Sequence, residues 1–263
     1  MSRRWITFDL DGTLMQNPFS KWVFPEIAAA VSGQLGQSYD SVSALTAEHE
    51  RRMEQGRYVE AYDWDEMLAR LCQELGIEKS VDIEELVQKH SISPKVYLLE
   101  PEIPQLLLEM KAQGYALAAV TNGFYKYQAP VMQALSLLDC FDEVVTPERA
   151  GTGKPDTVIL DMLAGKVVAH VGDRLDHDIL LANRANAVSV LIERGLSQRA
   201  SSLFPVQRPH DDEVVQVLRE KRRKESGRMQ GITETVLPSE YRPTIVIRSI
   251  QELMPFLKEW KGG

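Results

Sequence analysis

The chain has 263 residues, of which 44% are hydrophobic and 26% are charged, and its formal net charge is −8 at pH 7. This length can bury a real core, as one large domain or as two smaller ones. The negative charge argues against nucleic acids and anionic membrane surfaces as partners. It leaves small phosphorylated molecules open, because the charge of a local site can differ from that of the whole protein.

No apolar stretch approaches the ~20 residues that a membrane span needs. Asp9 and Asp11 interrupt the apolar run that follows the N-terminal arginines, so we expect no signal peptide and no membrane contact. The two cysteines, Cys72 and Cys140, have no metal-ligand spacing, which predicts free buried thiols suited to a reducing compartment. These features together predict a cytoplasmic protein.

Short apolar runs predict strands that are buried on both faces. The predicted strands are residues 5–8, 116–120, 144–145, 166–171, 187–192 and 244–247. Helical patterns lie between most of them, such as 102–113, which ends before the C-cap residue Gly114, and 176–184. This alternation indicates βαβ units, so we predict an α/β fold with a Rossmann-like parallel sheet and helices on both faces.

One connection, between the first and second predicted strands, is exceptionally long and helical. Residues 16–95 contain no convincing strand, and helical patterns cover 19–35, 41–55, 64–75 and 83–90. We predict that 16–95 form a separate all-helical domain inserted into a discontinuous core of residues 1–15 and 96–263. Pro18 and Pro94 would stiffen the two linkers.

A second unusual segment spans residues 197–243. It contains a predicted helix at 211–225 with acidic residues in its first turn and four basic residues, 221–224, in its last turn. This polarity matches the helix macrodipole. A solvated surface helix is the preferred interpretation of such a charge pattern, and a partner or oligomer contact is the alternative.

Polar side chains follow the first predicted strand, where Asp9 and Asp11 are separated by one residue and Gly12 permits a tight turn. Two carboxylates at this spacing can point into the same cleft. Taken alone, the motif is also compatible with a turn of solvated acids or a fragment of a calcium-binding loop.

Three later strands also end in polar motifs, and each has a simpler structural interpretation. Thr121, Asn122 and Gly123 could form an ordinary turn, and Lys154 in a glycine-rich loop could lie on the surface. Asp173 or Asp176 could cap a helix. Because ligands bind beyond the carboxyl ends of parallel strands, the four motifs together instead predict one active site.

This order of motifs resembles the haloacid dehalogenase superfamily. The matching features are the DxDGT sequence of residues 9–13, the TNG turn followed by Gln128, the Lys154-Pro155-Asp156 triplet, and Gly172-Asp173 with Asp178 five residues later. The position of the helical insertion resembles the subclass with a helical cap, which includes phosphoglycolate phosphatases and nucleotidase-like phosphatases.

The resemblance implies a role for each motif residue. Asp9 would be the nucleophile and Asp11 the general acid and base. Mg²⁺ would be held by Asp9, the backbone carbonyl of Asp11, and Asp173. Lys154 would neutralise charge.

The resemblance further implies that Thr121 stabilises the transferring oxygens, with Asn122 and Gly123 as substrate-binding residues. Asp178 would support the metal or Lys154, and Asp176 is a rival for that role. Leu181 and Asn186 replace residues that are often Gly in relatives, and Asn186 is suited to a positive φ.

The expected function is hydrolysis of a small phosphate monoester through an aspartyl-phosphate. A phosphomutase or other phosphotransferase is the main alternative. A dehalogenase fits less well because Asp11 supplies an acid and base, and the presence of all four motifs argues against a non-catalytic binding protein. Specificity would come from the cap. Substrate contact and ordinary packing both remain open for Asn17, Phe19, Lys21, Trp22, Tyr125 and Lys126.

Overall fold

The computed structural model describes residues 2–225 and 236–261. All six predicted core strands are present, with ends within one residue of those predicted. The strands are β1 (Arg4–Phe8), β2 (Met15–Gln16), β3 (Tyr97–Leu98), β4 (Ala116–Val120), β5 (Glu143–Val145), β6 (Lys166–Gly172), β7 (Val188–Ile192) and β8 (Ile245–Ile247). Strands β2 and β3, which were not predicted, form a separate antiparallel ribbon of two residues each.

The central sheet has the order β5-β4-β1-β6-β7-β8, and all of its pairs are parallel. Helices flank this sheet, which confirms the predicted Rossmann-like α/β core. Strand β1 lies between β4 and β6, with Phe8 opposite Ala119 and Val171. The residues that follow these three strands therefore meet at one edge of the sheet.

The helical insertion contains five α-helices, one more than the sequence predicted, within residues 19–90. They are α1 (Phe24–Leu35, after a π-helical turn at Phe19–Val23), α2 (Ser41–Glu54), α3 (Tyr58–Ala61), α4 (Trp64–Leu75) and α5 (Ile83–His90). Asp40, Asp63 and Asp82 cap α2, α4 and α5 by accepting a hydrogen bond from a backbone N–H three residues ahead. These local signals explain why the helices begin where they do.

The insertion shares apolar contacts with the rest of the chain. One hydrophobic cluster includes Val23 and Met67 of the insertion together with Phe8 and Leu106 of the core. The β2–β3 ribbon lies at the base of the insertion, where Met15 pairs with Leu98. The division into domains at residues 15 and 96 stays a prediction.

The remaining helices surround the sheet. They are α6 (Ile103–Ala112), α7 (Tyr125–Ala134), α8 (Pro147–Ala150), α9 (Leu180–Arg184, after a π-helical turn at Leu175–Ile179), α10 (Gln198–Ser202) and α11 (Asp212–Glu225). Short 3₁₀ helices cover Leu138–Cys140, Thr157–Met162, Arg208–His210, Ser239–Tyr241, Ile250–Leu257 and Glu259–Lys261. Asn186 has a φ of 54°, as predicted.

Helix α11 is only partly a solvated surface helix. Its Val214 and Leu218 are buried in a cluster with Leu191 of β7 and Val246 of β8, while polar side chains occupy its other faces. Part of the 197–243 segment, residues 226–235, lies outside the described residues. Cys72 and Cys140 are free and buried, as predicted. Within the described ranges, no helix combines the length and apolar character of a membrane span.

Candidate active site

Asp9 is buried at the end of β1, where its backbone N–H donates to the carbonyl of Val171 at 2.8 Å. Its Oδ1 accepts a hydrogen bond from Lys154 Nζ at 2.6 Å, and its Oδ2 accepts one from the Thr13 hydroxyl at 3.3 Å. The following turn needs glycine. Gly12 has a φ of +81°, and a Cβ there would lie 2.6 Å from Asp173 Oδ2. The turn thus brings the first and fourth motifs into contact.

Lys154 is buried, with only 2% of its side chain exposed, and its ammonium group bridges two carboxylates. The second is Asp178, whose Oδ1 lies 2.7 Å from Lys154 Nζ. Asn122 holds the backbone of Lys154 through two hydrogen bonds. Its Nδ2 donates to the Lys154 carbonyl at 3.0 Å, and its Oδ1 accepts from the Lys154 N–H at 2.7 Å. The second motif therefore positions the third.

Asp178 is held by three groups. Besides Lys154, it contacts His170 Nε2 at 3.1 Å through Oδ1 and accepts the backbone N–H of Arg174 at 3.0 Å through Oδ2. Gly172 makes room for it, because a Cβ there would lie 2.1 Å from Asp178 Cγ. His170 was not among the predicted site residues, although a histidine inside the apolar run of β6 is recognisable in the sequence.

Asp11 lies beside the Thr121 turn. Its Oδ2 accepts a hydrogen bond from Gln128 Nε2 at 2.7 Å, and the same nitrogen lies 3.4 Å from the Thr121 hydroxyl. Thr121 also accepts the N–H of Gly123 at 3.1 Å. Gln128 was predicted only as part of a motif spacing, and the structure shows its physical contact with the predicted acid and base.

Asp9, Asp173 and Asp178, here called the acidic cluster, place carboxylate oxygens within 4.8 Å of one another. Burial and the charges of Asp9 and Asp178 raise the pKa of Asp173 to about 8. Burial also raises the pKa of Asp9 to about 6, against the opposing effect of Lys154. One lysine therefore does not offset the negative charge of the cluster.

The other two acids differ in their electrostatics. Burial raises the pKa of Asp11, which favours a protonated carboxyl able to act as an acid. Burial also opposes ionisation of Asp178, but the charge of Lys154 and the hydrogen bond with His170 outweigh it and hold that pKa well below its usual range. Asp178 is therefore a carboxylate.

The acidic cluster fits a divalent cation. Asp173 Oδ1 and Asp11 Oδ1 are buried and have no hydrogen-bond partner in the described part of the chain. Unpartnered carboxylate oxygens beside crowded carboxylates are what a hard cation such as Mg²⁺ would satisfy, since it prefers oxygen ligands. The donor set thus suits a divalent metal.

Not every predicted residue lies at this centre. Asp176 pairs with Arg174 through both carboxylate oxygens, at 3.0 and 2.8 Å, rather than with Lys154. Among the six residues proposed for the mouth of the site, Asn17 interacts with Asp11. Lys126 bonds Asp65 of α4 at 2.7 Å.

The other four mouth residues pack or face solvent. Phe19 packs against Tyr127, and Trp22 stacks on His90. Lys21 and Tyr125 are exposed. Ordinary packing thus accounts for Phe19 and Trp22.

Comparisons with known proteins identify the family of this chain. A family model for haloacid dehalogenase-like hydrolases matches residues 4–186. The chain is 34% identical over 133 residues to the glyceraldehyde 3-phosphate phosphatase of Methanopyrus kandleri, covering 46% of this chain and 56% of that protein. It is 26% identical to the phosphoglycolate phosphatase of Mannheimia succiniciproducens, covering 79% of this chain and 91% of that protein.

The chain spans about half the length of the first curated relatives it matches, 56% and 51%. Among solved structures, a haloacid dehalogenase (HAD) phosphatase from Thermococcus onnurineus has a TM-score of 0.59 and 25% identity, over 74% of this chain and 88% of that one. A HAD-hydrolase from Bacillus subtilis shares the fold over 98% of this chain and all of that one, with a TM-score of 0.58 and 15% identity. From the family match, the chain belongs to the haloacid dehalogenase-like hydrolases.

Proposed function

We propose that this protein is a Mg²⁺-dependent phosphatase that hydrolyses a small phosphate monoester through an aspartyl-phosphate on Asp9. The observation that carries the proposal is the buried Lys154 ammonium 2.6 Å from the Asp9 carboxylate, within a cluster that has an excess of negative charge. Relatives that are named as phosphatases for glyceraldehyde 3-phosphate, phosphoserine and phosphoglycolate support the substrate class.

In the first step, an Asp9 oxygen forms a bond to phosphorus while the bond from phosphorus to the leaving oxygen breaks. Asp11, with its raised pKa, gives a proton to that oxygen. Lys154 offsets charge beside the attacking carboxylate, and the Thr121 hydroxyl would bind an equatorial phosphoryl oxygen. This arrangement is electrostatic preorganisation, usually the largest catalytic contribution.

In the second step, water attacks phosphorus and the Asp9–phosphorus bond breaks, which releases inorganic phosphate and restores the carboxylate. Asp11, now ionised, takes the proton of the attacking water. Gln128 keeps Asp11 in place for both steps through its hydrogen bond of 2.7 Å. Splitting one displacement into two is the general advantage of a covalent nucleophile.

Asp9, the backbone carbonyl of Asp11, and Asp173 would hold the metal. When bound, the cation neutralises the charge that accumulates between the substrate and the carboxylates. Asp178 was predicted as a metal ligand or support. Because its Oδ1 lies 2.7 Å from Lys154 Nζ and its Oδ2 accepts the backbone N–H of Arg174, we assign it the task of orienting Lys154. We assign residues 16–95 the role of a cap that covers the leaving group.

Hydrolysis of p-nitrophenyl phosphate with Mg²⁺ tests the proposal. Asp9→Asn keeps the shape of the side chain and removes the nucleophile, so the rate should fall by about three orders of magnitude or more. Asp161→Asn, at an exposed position of the 3₁₀ helix Thr157–Met162, is the matched control and should retain the wild-type rate. Equal rates for wild type and Asp9→Asn would refute the nucleophile. Transfer of phosphate to an added sugar instead of water would indicate a phosphotransferase, the class that includes the mutase alternative.

A further inference from the structure

A cavity of about 840 Å³ lies between α2 and α3 of the insertion and the loops that carry Lys154 and Asp173. Pro155 and Arg174, the immediate chain neighbours of those two residues, contribute to its wall. Tyr62 also lines it and interacts with the Asn122 side chain, which fixes the backbone of Lys154. The cavity therefore begins beside the phosphoryl site and has a volume typical of small-molecule sites.

Arg174 is a cation of this cavity whose guanidinium group is held in one orientation and has one edge open. Its Nε and Nη2 donate to the two oxygens of Asp176, at 3.0 and 2.8 Å, which fixes the plane of the guanidinium group. Its Nη1 has no hydrogen-bond partner among residues 2–225 and 236–261, and 40% of its side chain is exposed. One edge of a rigid, permanently charged group is thus open to a ligand.

Helix α11 contacts the turn that follows Arg174. Oε2 of Glu225 accepts the backbone N–H of Leu175 at 2.9 Å and that of Asp176 at 3.3 Å, so it holds the turn that orients Arg174. Arg222 of the same helix lies 4.0 Å above the ring of Tyr241, and both line the cavity. Residues 222, 224, 225 and 241 of the 197–243 segment therefore contribute to the wall of the cavity.

We propose that Arg174 binds a second anionic group, a carboxylate or a phosphate, on the leaving group of the substrate. The inference rests on the proposed phosphatase function and narrows its substrate class to phosphate monoesters that carry another negative charge. Charge-assisted hydrogen bonds from a guanidinium group to such oxygens are stronger than those to neutral hydroxyls. A substrate of this class would lie with its ester at Asp9 and its second anion at the free edge of Arg174.

The test compares 3-phosphoglycerate with glycerol 3-phosphate, which differ in having a carboxylate or a hydroxymethyl group at the far end. Binding is measured by calorimetry in the Asp9→Asn protein, so that turnover plays no part. The carboxylate ligand should bind about tenfold or more tightly. Arg174→Gln should abolish most of this preference, whereas Arg184→Gln, at an exposed position on the same cavity, should preserve it.

Equal affinities in the Arg174-containing protein would overturn the proposal, and so would a preference that survives Arg174→Gln or depends on Arg184 instead. Failure of the phosphatase function is a separate outcome. It would appear as absence of p-nitrophenyl phosphate hydrolysis by the wild-type protein, whatever the ligand preference of the cavity.

Discussion

Two groups of lysine and aspartate side chains in this protein have opposite charge balances. The acidic cluster has three carboxylates against the single ammonium group of Lys154, which is 2% exposed. The second group, here called the Asp65 cluster, lies between α4 and α7 and has one carboxylate against two lysines. Lys79 and Lys126 bond Asp65 at 2.6 and 2.7 Å and are 28% and 35% exposed.

We interpret this difference in charge balance as that between the proposed reaction centre and a structural contact. In the Asp65 cluster, burial opposes ionisation, but hydrogen bonds from Lys126 and Lys79 outweigh it and lower the pKa of Asp65 to about 2. Its charge is satisfied by the protein alone. In the acidic cluster, burial and neighbouring carboxylates raise the pKa values of Asp9 and Asp173, so the protein leaves negative charge there that it does not neutralise. A substrate-binding metal site requires such unneutralised charge.

The largest expected effect comes from removing the lysine of each group. Lys154→Met should lower the rate of p-nitrophenyl phosphate hydrolysis by roughly a thousandfold, because it removes the positive charge that is preorganised beside the nucleophile. Lys126→Met, at the Asp65 cluster, should leave the rate within a few-fold of wild type. Circular dichroism of both variants checks that they fold. A similar loss of rate in the two variants would contradict the difference in role that we assign to the acidic cluster and the Asp65 cluster.

The second prediction concerns metal removal. The folded-state pKa of Asp173, about 8, lies above its ordinary 3.8, so the folded protein retains a proton that the unfolded chain loses. The stability of the metal-free protein should therefore fall as the pH rises from about 4 to 8. Asp173→Asn should reduce this dependence in metal-free thermal melts.

Mg²⁺ should stabilise the wild type far more than it stabilises Asp173→Asn. At a concentration of about 100 times the dissociation constant, the expected gain is roughly 2.7 kcal/mol. Thermal melts with chelator and with Mg²⁺ measure both quantities. An equal response of the two proteins to Mg²⁺ would place the metal ligands elsewhere.

The smallest effect should follow Asp65→Asn. The folded-state pKa of Asp65 is lowered from 3.8 to about 2, so its contribution is complete above about pH 4 and is lost as the pH falls through 2. The variant should be less stable than wild type by about 1–2 kcal/mol at pH 7. Urea unfolding at pH 7 and pH 2 measures the change; a difference that persists at pH 2 would contradict the assignment to ionic bonding.

Much of the fold was predictable because its signals are local. The core strands are continuous apolar runs, and Asp63 and Gly76 mark the ends of α4 by capping chemistry that depends on nearby residues alone. The β2–β3 ribbon escaped prediction because each strand has two residues. Its formation depends on pairing between Met15 and Leu98, which are far apart in the chain.

The candidate site also has some contacts that were predictable from the sequence and others that were not. Lys154 and Asp173 follow strands in recognisable motifs, so their meeting could be predicted from the topology of a parallel sheet. The contacts of Arg194 could not be predicted. Arg194 donates to the backbone carbonyls of Gly12 and Thr13, at 3.1 and 2.8 Å, and pairs with Glu100 at 2.6 Å. Contacts between distant segments leave no pattern in a single sequence.

The central claim is that Asp9 becomes covalently phosphorylated. The most direct measurement is mass spectrometry of peptides after acid quenching of the protein during turnover of p-nitrophenyl phosphate with Mg²⁺. We predict a phosphorylated peptide that contains Asp9, which is lost on treatment with hydroxylamine and is absent in Asp9→Asn. Turnover without any phosphorylated Asp9 in the quenched protein, or phosphate on a different residue, would contradict the account.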